Sequence, residues 1–135
     1  MTGPRAAKGT EMTRRYDLRF LLLAVLLLLC GITLGIVMGV KEDFQLVPVH
    51  AHTNLVGWVS LALFGLTYRA YPELAERKLA SVHFWLAATG AILFPVGLVF
   101  AVLDSSPLLA IIGSLIWAAA CLVFLLQLLS LLRPR

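Results

Sequence analysis

The stretch L18-RFLLLAVLLLLCGITLGIVMG-V40 decides the class of this chain. Apart from Arg19 and Thr33 it is apolar from end to end. At about 1.5 Å rise per residue, a helix of this length spans the ~30 Å hydrocarbon core of a bilayer. A cleavable export signal would have a shorter apolar centre, of ~7–15 residues, and a small-residue cleavage site. The run has neither, which predicts a retained helix. Gly31, Gly35 and Gly39 recur every four residues along it. That small-residue ridge lets another helix approach closely. The partner can belong to the same chain or to a second copy.

Working outward, the rest of the 135 residues repeats the pattern. Only 13% are charged and 61% are hydrophobic, whereas a soluble domain carries charge at about a quarter of its positions. Residues 1–17 read as a flexible cytoplasmic arm ahead of a single domain over 18–135. Within that domain the spacing predicts four transmembrane helices, at about 18–40, 50–71, 81–103 and 108–132. Pro48 suits a helix start and Ser81 an N-cap. Pro95 removes a backbone donor inside the third helix and predicts a kink. No segment carries the polar stripe that a soluble four-helix bundle needs.

Charge sets the expected topology. Arg5, Lys8, Arg14, Arg15, Arg19, Arg69, Arg77, Lys78, Arg133 and Arg135 fall in the N-terminal arm, the middle loop or the C-terminus. Only Lys41 falls in the other two loops. The positive-inside rule then predicts both termini in the cytoplasm and a multi-pass protein of the cytoplasmic membrane. The net charge of +4 follows from these flanks, so it signals topology and not nucleic-acid binding. Cys30 and Cys121 sit in separate apolar runs without metal-type spacing and read as small apolar residues.

Polar side chains at membrane depth are costly, and each needs an account. They concentrate in His50-Ala51-His52-Thr53-Asn54, at the start of the second helix. Imidazole is a usual axial ligand of haem iron and a common ligand of copper and zinc. Residues two apart on a helix point about 200° apart, so His50 and His52 cannot chelate one metal as a pair four apart could. One reading makes a histidine of this turn a cofactor ligand. The other makes the turn a cap in the outer headgroup layer. His83 reads as an interfacial side chain at the opposite end of the bilayer from His52. The aromatic residues Trp58, Trp85, Trp117, Tyr68 and Tyr71 read as packing or interfacial-belt residues. The absence of Asp, Glu, Lys or Arg at mid-membrane depth weighs against an ion-coupled transporter or proton pump.

His52-Thr53-Asn54-Leu55, then Trp58, Gly65, Tyr68 and Pro72-Glu73, with Lys78-Leu79-Ala80 and Phe84-Trp85 after the turn, resembles a stretch of the haem–copper oxidase superfamily. The nearest likeness is to the large subunit of bacterial nitric oxide reductase. The chain is also similar to small oxidase-subunit-I-like membrane proteins with a His-Ala-His-x-Asn-Leu-x-Gly-Trp helix. The resemblance implies a bacterial inner-membrane protein in a respiratory electron-transfer setting. It also implies that His52 is an axial ligand to the iron of a low-spin haem b. A second axial ligand would come from a homodimer or a respiratory-complex partner, as a second His52 or as His50 of a neighbour. The superfamily's remaining metal-ligand histidines lie in later helices, and with three histidines this chain is not expected to reduce oxygen or nitric oxide alone. Two alternatives stand beside the haem reading: a structural membrane protein without cofactor, and an outer-face metal-handling protein.

Overall fold

The computed structural model describes residues 15–132. Among them the fold is all-helical, with no strand. Helix α1 spans Tyr16–Lys41. Helix α2 occupies residues 47–70 in three consecutive segments: an α-helical start, Val47–His52, a π-helical stretch, Thr53–Ser60, and an α-helical end, Leu61–Ala70. After a 3₁₀ turn at Pro72–Leu74, helix α3 spans Lys78–Val102 and α4 spans Leu108–Leu131. Helices α1, α3 and α4 are each long and apolar enough to cross a membrane. Their outward faces carry the exposed Leu, Ile and Val side chains that make this a membrane protein in contact with lipid.

The helix starts differ from the sequence expectation by at most three residues: α1 begins two residues earlier, α2 and α3 three residues earlier, and α4 as expected. Ser81 is not an N-cap: α3 starts at Lys78 after an extended Arg77, and no side chain caps it. The reason is packing, since Ala80 is fully buried and holds that first turn against the core. The expected arm at 1–17 lies outside the described residues up to position 14, and Tyr16 and Asp17 already belong to α1. Pro95 is buried inside α3, and the helix continues past it. Asp104, at φ 55°, closes the helix with Ser105 N–H donating to the Phe100 carbonyl at 2.9 Å.

With little hydrophobic difference between lipid and helix, close backbone approach supplies much of the association. Helices α3 and α4 pack along most of their length. A Cβ at Gly113 would stand 2.5 Å from the Phe94 backbone nitrogen, and one at Gly90 would stand 2.8 Å from that of Trp117. On the other side, α1 packs along α2. The glycine ridge of α1 faces this partner within the chain. A Cβ at Gly31 would meet the Asn54 amide at 2.5 Å, and one at Gly35 would meet the His50 ring at 2.8 Å. Gly39 has no neighbour within 4 Å. At the other end of α1, Asp17 pairs with Arg15 at 3.2 Å and with Arg69 of α2 at 3.5 Å. Arg69 is 72% exposed, so this link contributes no more than about 1 kcal/mol.

Candidate functional site

The polar turn that opens α2 satisfies its hydrogen bonds within the chain, and in doing so sets the orientation of both histidines. His50 Nδ1–H donates across to the Gly31 carbonyl of α1 at 2.9 Å. His52 Nδ1–H donates back along α2 to the Pro48 carbonyl at 2.7 Å. A carbonyl only accepts, so each Nδ1 carries the ring proton and each Nε2 keeps its lone pair. Thr53 Oγ1–H donates to the Val49 carbonyl at 2.8 Å, and Asn54 Nδ2–H donates to the His50 carbonyl at 2.9 Å. The two histidines are directed at different helices, as their spacing predicts. The His50 ring lies on Gly35 of α1. The half-buried His52 ring stands at 65° against Phe94 of α3, with centroids 4.9 Å apart. Among the described residues no group of three His, Cys, Asp or Glu side chains converges to hold a metal ion.

Directly after His52 the backbone widens into the π-helical stretch Thr53–Ser60. Ser60 Oγ–H donates to the Leu55 carbonyl, five residues back, at 2.8 Å. An insertion of this kind re-aims the side chains that follow it, and π-bulges concentrate at functional positions. Leu55 and Val59 are exposed beside the histidine turn. An imidazole whose Nδ1–H is held by a backbone carbonyl, as His52 is, presents the Nε2 lone pair through which histidine ligates a metal or haem iron.

The second polar cluster corrects the sequence reading. His83 is not interfacial. It is fully buried, and Tyr68 is 2% exposed. The Tyr68 hydroxyl lies 3.0 Å from His83 Nδ1 and accepts from Gln127 Nε2–H at 2.8 Å. The Tyr68 hydroxyl thus bridges Gln127 Nε2–H and His83 Nδ1. His83 Nε2 and Gln127 Oε1 have no hydrogen-bond partner among the described residues. The rings of Phe20, Phe64 and Phe124 surround the imidazole with centroids 5.1, 4.7 and 5.2 Å away. The available signal in the sequence is Gln127, a lone amide in the apolar run of α4, which needs a partner inside the bundle. This node joins α2, α3 and α4 near the end of α2 remote from His52. Tyr68→Phe removes the shared hydroxyl and leaves both His83 Nδ1 and Gln127 Nε2 buried without a partner. It should destabilise the protein by about 1–3 kcal/mol per stranded group, read as a lower thermal midpoint in detergent.

No protein-family model matches the chain, and no solved structure matches it. Over 51 residues the chain is 39% identical to cytochrome c oxidase subunit 1 of Rhodobacter capsulatus, a match covering 33% of this chain. The matched segment amounts to 10% of the length of that subunit. The similarity supports at most a distant relation between this chain and oxidase subunit 1.

Proposed function

We propose that this protein is a haem b-binding or accessory protein of membrane electron transfer, with His52 as an axial ligand of the iron. The observation that carries the reading is the His52 ring, with Nδ1–H held by the Pro48 carbonyl and Nε2 left as a lone pair. A ligating histidine typically donates its other ring N–H in this way, which fixes the tautomer and raises the basicity of the ligating nitrogen. The partial likeness to cytochrome c oxidase subunit 1 supports the same reading. When bound, haem supplies a one-electron iron couple. The chain's own part is to hold the imidazole. Pro48 and Phe94 fix the ring, and the π-helical stretch displaces the residues beyond it. The His50 ring is seated in the contact between α1 and α2, on Gly35, so the proposed second axial ligand is His52 of a second copy in a symmetric dimer. Two-fold dimers are the commonest oligomers. Haem absorbance of the purified protein tests the reading. Bound copper or zinc in its place would favour the metal-handling alternative, and no cofactor at all the structural one.

The same proposal places α2 across the bilayer as a fourth span and both termini in the cytoplasm, on the strength of the ten-to-one basic asymmetry. Cysteines introduced at Phe44 and Ser105 should react with membrane-impermeant thiol reagents applied to intact cells, and one at Glu76 should not. The reverse pattern overturns the orientation.

A further inference from the structure

A lipid-facing cleft of about 430 Å³ lies between α3 and α4, lined by Ser81, Val82, Trp85, Leu86, Thr89 and Ile116. All but Ile116 lie on α3, where positions 81, 82, 85, 86 and 89 form one helical stripe. Lys78 stands on the same stripe, one turn beyond Ser81. Along the stripe the chemistry thus runs from a cation, Lys78, just outside the cleft, past the Ser81 hydroxyl, to an indole and an apolar floor. Trp85 is 63% exposed and serves the second cluster only through an edge contact with Phe84. Lys78 and its neighbour Arg77 are exposed.

We infer that this cleft binds an anionic phospholipid, with the phosphate at Lys78 and Ser81 and one acyl chain along Val82, Trp85, Leu86 and Ile116. The order of chemistry along the stripe matches that of the lipid: charge, hydrogen-bonding glycerol level, hydrocarbon. Trp85, at the headgroup boundary, is placed as interfacial indoles are. An anionic headgroup supplies the phosphate for Lys78 without the competing cation that a zwitterionic headgroup brings. The inference is independent of haem, since the cleft lies on the outer surface of α3 and α4 and shares no residue with the His52 turn.

Brominated lipids quench an indole that they touch. Quenching is measured in phosphatidylcholine vesicles containing the unaltered protein, with a minor fraction of brominated phosphatidylglycerol or, separately, of brominated phosphatidylcholine. The Trp85 part is what disappears in Trp85→Phe, an exposed and conservative change. That part should favour phosphatidylglycerol. Lys78→Gln should lower the preference about fivefold, the weight of one basic residue at a membrane surface. Arg69→Gln, which removes the same charge at the same end of the bundle but off the stripe, should leave most of it. Equal quenching by the two headgroups would overturn the proposal, as would equal losses in Lys78→Gln and Arg69→Gln. Quenching at Trp85 by neither lipid would mean that a second protein copy covers the cleft, and would overturn it too.

Discussion

If His52 ligates haem as proposed, His52→Ala is expected to remove the haem absorbance of the protein completely. Bis-histidine iron cannot form when one of the two imidazoles is absent, and in a dimer built on paired His52 residues the change deletes both ligands at once. The neighbouring histidines provide the controls. His50 donates to the Gly31 carbonyl and lies on Gly35, so His50→Ala should cost packing between α1 and α2 while leaving the band positions unchanged. His83 is enclosed by Phe20, Phe64, Phe124 and Tyr68 at the far end of α2, so His83→Ala should lower stability and not alter the spectrum. The expected order is complete loss, partial loss of yield, and no spectral change. Difference spectra of the three variants, at equal protein concentration, read it directly. Haem at full occupancy in His52→Ala sinks the ligand assignment, whatever the other two variants do.

Gly35→Leu should destabilise the packing of α1 on α2. The first added carbon would stand 2.8 Å from Cε1 of His50 and 3.2 Å from its Nδ1. The imidazole cannot yield easily, because it is tied to the Gly31 carbonyl one turn away. Either α1 moves off α2 or the His50 bond breaks. Overpacking of this kind typically costs about 1–3 kcal/mol, and a stranded ring nitrogen adds a comparable penalty. The thermal midpoint in detergent should therefore fall with no change in oligomeric state, since the groove is filled within the chain. Gly39→Leu, where nothing lies within 4 Å, is the matched control and should have little effect on the midpoint. A shift from dimer to monomer in Gly35→Leu would mean that the ridge serves a second copy instead.

Much of the architecture is legible in the sequence because bilayer thickness converts directly into run length. The run at 18–40 lies within α1, and the runs expected at 81–103 and 108–132 correspond to α3 and α4. Helix ends are less legible. Ser81 has the chemistry of a cap, yet the preceding Leu79-Ala80 turn stays helical because Ala80 is buried. The His50–Asn54 turn stands out by polarity alone, and the opposed directions of its histidines follow from helical spacing. Two features depend on tertiary contacts that local spacing does not encode. One is the facing of His83, which Tyr68 and Gln127 draw inward. The other is the partner of the glycine ridge, which only the seating of His50 and Asn54 identifies. The π-helical stretch at Thr53–Ser60 carries no local signal of that kind, since none of its residues is a helix breaker other than Gly57.

The measurement that bears most directly on the haem assignment is the absorption spectrum of the detergent-purified protein. It is recorded as oxidised and again after dithionite, from cells grown with ample haem precursor. Ligation of a low-spin haem b by His52 predicts a sharp α-band in the reduced-minus-oxidised difference. A featureless difference spectrum from correctly folded protein would contradict the account, and would leave the His50–Asn54 turn as a cap and packing element of α2.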